Sequence, residues 1–162
     1  MISTKTITKT AAFGAMAVLL GYVESLFPPI AAGVKLGLSN AVIIIVLYTL
    51  SSKQAFLVSL IKVFLCTALF GTATSFVYSL SGALTSVFVM SVAKKTNWFS
   101  LIGVSSLGGI FHNLAQMVCA CLIIGNPVIF YLPVLFVSGA ICGAATGALS
   151  QIIVKRRDLF GT

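Results

Sequence analysis

Apolar residues run through this chain in six long stretches, separated by short gaps that carry turn-forming and basic residues. A helix of about 20 apolar residues, rising 1.5 Å per residue, crosses about 30 Å of hydrocarbon. The pattern therefore predicts transmembrane helices over residues 10–27, 36–50, 54–70, 75–93, 98–124 and 130–154. The breaks have physical causes. Pro28-Pro29 stops the first span, because proline lacks an amide donor and clashes with the preceding turn. Ser51-Ser52-Lys53, Gly71-Thr72 and Gly125-Asn126-Pro127 turn the chain, Lys94-Lys95 ends the fourth span, and Lys155-Arg156-Arg157 closes the sixth. The expected fold is all-α, a polytopic six-transmembrane-helix bundle in which residues 1–162 form a single integral membrane domain.

Composition excludes a water-soluble alternative. Hydrophobic residues make up 59% and charged residues 7%, against roughly 25% charged in an average soluble domain. The net charge of +8 reads as topology and not as a nucleic-acid surface, because the basic residues are scattered through interhelical gaps without a basic face interleaved with aromatics. Alternation from a cytoplasmic N-terminus places Lys5, Lys9, Lys53, Lys94, Lys95, Lys155, Arg156 and Arg157 inside, Lys35 outside and Lys62 within a span, so eight of the ten share one side. The positive-inside rule then puts both termini in the cytoplasm. The first span follows Lys5 and Lys9 as a signal peptide would, but without an A-x-A cleavage site it is expected to be retained.

Polar groups inside apolar spans are costly and mark function. Lys62 begins about 12 Å into the third span at 1.5 Å per residue, which calls for a cavity, a carboxylate or a bound anion, with snorkelling to the cytoplasm as the structural alternative. His112, Asn113 and Gln116 fall on one side of the fifth span by their helical offsets and form a polar stripe. Glu24, the sole acid before Asp158, stands near the outer end of the first span, and either a salt bridge to Lys35 or Lys62 or a ligand contact would match its charge. Asn40 and Tyr78 add donors toward the same outward-facing cavity.

Other chemistry is missing. No G-x-x-x-x-G-K-[ST] loop is present, so the chain is not itself an ATPase. No paired aspartate-rich clusters are present to hold magnesium on a diphosphate. Cys66, Cys119, Cys121 and Cys142 lie within spans without a C-x-x-C pair, and with one His and two acids no metal site or cofactor is expected. Ser81-Gly82-Ala83-Leu84-Thr85-Ser86 resembles a flavin-attachment motif, but Leu84 interrupts it. Small residues repeat every four positions at Ala11 and Ala15 and at Gly139, Gly143 and Gly147, giving faces where helix backbones approach closely. Internal packing is the simpler reading for the glycines, and docking of another membrane subunit the more attractive one for Ala11 and Ala15.

The runs Tyr22-Val23-Glu24-Ser25-Leu26-Phe27-Pro28-Pro29, Gly33-Val34-Lys35-Leu36-Gly37-Leu38-Ser39-Asn40, Lys62 with Leu69-Phe70-Gly71, and His112-Asn113-Leu114-Ala115-Gln116 occur in that order. Together they resemble the bacterial family labelled heptaprenyl diphosphate synthase component I, also called the Gx transporter family. That family in turn resembles the substrate-capturing S components of energy-coupling factor (ECF) transporters. The resemblance implies a nonenzymatic protein of the bacterial cell membrane that binds a micronutrient or cofactor precursor from outside. It also implies a transmembrane coupling subunit docked at Ala11 and Ala15, two ATPase subunits, and a pocket capped by the loop after the first helix.

The excess of Lys35, Lys62 and His112 over Glu24 suggests a ligand that is anionic or rich in acceptors, such as a small anionic or aromatic cofactor precursor, or an isoprenoid or quinone precursor. Glu24, Lys35, Asn40, Lys62, Tyr78, His112, Asn113 and Gln116 are the expected substrate-binding residues. Two other classes remain open: a noncatalytic membrane subunit of prenyl diphosphate or quinone biosynthesis, and a membrane partner in flavin or quinone electron transfer.

Overall fold

The computed structural model describes residues 4–26, 37–125 and 130–156, which form helices and no strand. In chain order these are α1 (Thr4–Ser25), α2 (Leu38–Thr49), α3 (Ser52–Phe70), α4 (Ala73–Thr96), α5 (Leu101–Ile124) and α6 (Leu132–Lys155). Five of them are long and apolar enough to cross a membrane, so the chain is a multi-pass helical membrane protein.

The helix ends follow local chemistry. Ser51, Thr72 and Ser100 each cap the helix that follows, their hydroxyls accepting from the amides of Gln54, Ser75 and Gly103. These bonds satisfy donors that a helix start leaves without an intrahelical partner. Thr72 and Ser75 cap reciprocally, which confines the α3–α4 turn to Gly71 and Thr72, as the sequence pattern predicts. Asn97 closes α4 in the left-handed region at φ 56°, a conformation asparagine tolerates better than most residues. Trp98 and Phe99 then lie outside the helices, so the fifth helix starts later than expected. The first starts earlier, at Thr4. The expected stop at Pro28-Pro29 and the basic residue Arg157 lie outside the described residues.

The second element departs most from expectation. At 12 residues α2 is about 18 Å long, too short to cross about 30 Å of hydrocarbon. Every residue from Ala41 to Leu47 is buried, as expected of a helix that is apolar on all sides. It packs against α1, α3 and α6, forming the centre of the bundle.

Contacts between helices establish that neighbours run antiparallel. The end of α1 meets the start of α2 through Glu24, and short turns reverse the chain from α2 to α3, α3 to α4 and α4 to α5. Gly109 backs onto Gly139, Ser105 onto Gly143 and Ile102 onto Gly147, which orients α6 against α5. A Cβ at Gly143 would lie 2.6 Å from the Ser105 carbonyl oxygen, so the glycine repeat serves close α5–α6 packing within the chain. One end of the bundle thus gathers the last residues of α1, α3 and α5 with the first of α2, α4 and α6. Lys5, Lys9, Lys53, Lys94, Lys95, Lys155 and Arg156 all belong to the opposite end.

Candidate functional site

A cavity of about 340 Å³ occupies the end of the bundle away from the basic residues, walled by all six helices. Its rim includes Ser25, Phe70, Gly71 and Thr72, which are exposed. Its inner lining includes Met90, Ser105 and Thr146, which are 4–6% exposed. The cavity therefore reaches from the surface into the middle of the bundle.

Lys62 and Asn40 meet in the wall. The ammonium donates to Asn40 Oδ1 at 2.9 Å, and both residues line the cavity. Lys62 is ten residues from the start of α3, about 15 Å along the axis. Burial at that depth is costly for an ammonium without polar neighbours, and the amide oxygen supplies one.

Glu24 is committed to the start of α2. Its Oε1 accepts the amide of Leu38 at 2.9 Å, while Oε2 accepts the amide and hydroxyl of Ser39 at 3.3 and 2.7 Å. Gly37, with φ 75°, precedes α2 without a side-chain cap of its own, so the carboxylate arrives from α1 to occupy the positive end of the helix. The sequence reading had set a lysine partner against a ligand contact. The observed hydrogen bonds are to α2, and Lys35 lies outside the described residues.

The fifth-span stripe divides. Gln116 Nε2 and His112 Nε2 are 3.1 Å apart, a hydrogen bond whose donor is set by the imidazole tautomer. Both side chains lie against Gly82 of α4, where a Cβ would come within 2.9 Å of each. Asn113 instead turns to α6, donating to the Leu135 carbonyl at 2.8 Å and approaching the Ser138 hydroxyl at 3.4 Å. All three line the cavity, but Asn113 also ties two helices together. Tyr78 is not among the lining residues, and its carbonyl accepts the Ser81 hydroxyl.

Several lining residues carry no signal in the sequence reading. Ser75, Ser79 and Ser86 share a face of α4, and Ser39, Thr67, Ser138 and Thr146 extend the hydroxyl lining from other helices. Helical spacing of the α4 serines was the available clue. Among the described residues no group of three or more His, Cys, Asp or Glu side chains could hold a metal ion.

The fold and cavity define a class: a polytopic helical membrane protein with a polar chamber opening at one end. The chain belongs to the family described as heptaprenyl diphosphate synthase component I, whose model matches residues 13–153. No curated protein matches the chain, and no solved structure does.

Proposed function

We propose that the protein is a solute-capturing S component of an ECF-type importer in the bacterial cell membrane, with both termini in the cytoplasm. The observation that carries this reading is the polar cavity with Lys62 in its wall, placed at the end opposite the basic residues. Under the positive-inside rule that end faces outward, and the cavity is ready to receive a small anionic solute arriving from outside. Family membership supports the reading. So does the exposure of Ala11 and Ala15 on α1, while Thr10, Gly14 and Ala17 are buried. A coupling subunit would dock on that small-residue face, with two ATPase subunits driving reorientation. The chain itself would have no catalytic step.

Two measurements test this. Native mass spectrometry of the protein released from its own membrane is expected to show a bound molecule below the size of a prenyl diphosphate, and coupling and ATPase chains in the intact assembly. Ala15→Trp should remove those chains and leave the bound molecule, because close helix approach needs small side chains. Unchanged assembly of this variant would contradict the docking surface.

The family description favours a second reading, in which the chain is a noncatalytic membrane component of a prenyl diphosphate synthase. It predicts co-purification with a soluble synthase and an altered product chain length when the membrane chain is absent.

A further inference from the structure

We propose that Ser79 and Ser86 of α4 form a hydroxyl-reading subsite within the cavity, and that the ligand is a small hydroxylated carboxylate whose acid group lies at Lys62. The proposal rests on the solute-capture reading and adds the chemical class of the solute.

Ser86 carries the argument. Its side chain is 5% exposed and lines the cavity, and no hydrogen bond ties its hydroxyl to any described residue. Most serines and threonines in apolar helices bond back to their own backbone, and here Ser138, Thr146 and Ser25 do so. The Ser86 hydroxyl is not among the buried polar atoms that lack a partner, so it keeps surface open to the cavity, where a polar group brought in by a ligand is its natural complement. Ser79 lines the same wall and likewise has no hydrogen bond to a described residue. The two serines are seven residues apart, which puts them on the same helix face about 10 Å from each other. Together they offer paired donor and acceptor positions along a narrow chamber.

The rest of the lining selects against other ligand classes. Small-molecule pockets are ordinarily mostly apolar and aromatic, yet Phe70, at the exposed rim, is the one Phe, Tyr or Trp among the described lining residues, and the His112 imidazole is the other aromatic ring. The walls therefore offer little to a prenyl chain and a single imidazole to an aromatic ring. A volume near 340 Å³ stands at the low end of small-molecule sites, roughly 300–1,000 Å³. Among the described lining residues Lys62 is the one lysine or arginine and Glu24 the one acid, so the lining offers no second cation for a dianion. A carboxylate is a monoanion, whereas a phosphate monoester carries about −1.5 to −2 at neutral pH.

The test follows the thermal unfolding midpoint of the full chain in nanodiscs with millimolar gluconate, glycerol 3-phosphate, benzoate or geranyl diphosphate. Gluconate is expected to raise the midpoint most. Ser86→Ala should abolish that rise with little change in the midpoint without additive, since the hydroxyl faces the cavity and holds no other residue. Ser79→Ala should reduce the rise. A larger rise with benzoate or geranyl diphosphate overturns the proposed class, and a larger rise with glycerol 3-phosphate overturns the carboxylate. A gluconate response that survives in both serine variants overturns the subsite. A flat response to every probe overturns it too, and capture itself is then judged by whether a molecule is retained from the native membrane.

Discussion

The Glu24 carboxylate on α1 accepts the Ser39 hydroxyl of α2 at 2.7 Å, and the same carboxylate takes the first amides of that helix. A central helix too short to cross the membrane depends on its neighbours for its ends. Replacing Glu24 by Ala leaves those donors partly buried and unpaired, with an expected loss of about 1–3 kcal/mol of stability. Glu24→Gln, which keeps an acceptor but removes the charge, should lose less. A double-mutant cycle of Glu24→Ala and Ser39→Ala checks the pair: the combined loss should fall short of the sum of the single losses, and strict additivity would contradict the contact.

The other end of α2 is held by Lys94. Its ammonium donates to the Leu47 carbonyl at 2.6 Å and stands 4.9 Å from the Tyr48 ring centroid. A cation at a helix C-terminus and over an aromatic face contributes about 0.5–2 kcal/mol. Lys94→Met should speed hydrogen exchange in the last turn of α2 with little change at its first turn. Uniform acceleration along α2, or none, would contradict a local clamp.

The α5–α6 seam depends on glycine. A Cβ at Gly139 would stand 2.7 Å from the Gly109 carbonyl oxygen, and one at Gly147 2.9 Å from the Ile102 backbone, so backbone and not a yielding side chain is in the way. Gly139→Leu and Gly143→Leu should each push the helices apart at a cost of at least about 1–3 kcal/mol. The expected signs are a lowered unfolding midpoint and a weakened contact from Asn113 to the Leu135 carbonyl. A variant that unfolds like the parent would show that the seam is looser than the geometry indicates.

How much of this was legible in the sequence depended on the range of each interaction. The long apolar helices were readable because hydropathy and the breaks at Ser51, Thr72 and Lys94-Lys95 are local, whereas the cap at Ser100 was missed and the fifth helix was expected from residue 98. The length of α2 was not readable, since an apolar run such as Val42–Leu47 reads the same whether it faces lipid or the interior of the bundle. The presence of a charge at Glu24 was visible. Its partner was not, because Leu38 and Ser39 lie 14 and 15 residues away across a turn whose geometry no local pattern specifies.

Lys62 was singled out by the cost of its charge, and the structure sets it against Asn40 in the cavity wall. His112, Asn113 and Gln116 were grouped by helical offset, which gives a shared side but not the divergence of Asn113 toward α6. Ser79 and Ser86 were silent because hydroxyls in apolar helices commonly bond to their own backbone. Only the fold distinguishes serines that do from serines that do not.

Solute capture at Lys62 is the account's centre, and its most direct measurement compares the molecules retained by the native protein and by Lys62→Gln after release from the same membrane. Loss of a charge-assisted bond of about 1.5–3 kcal/mol predicts retention weakened roughly 10- to 100-fold, with helix content and unfolding midpoint preserved. A small anion carried by the native protein and absent from the variant is the predicted result. Equal retention in both, or a neutral lipid as the bound molecule, would contradict it.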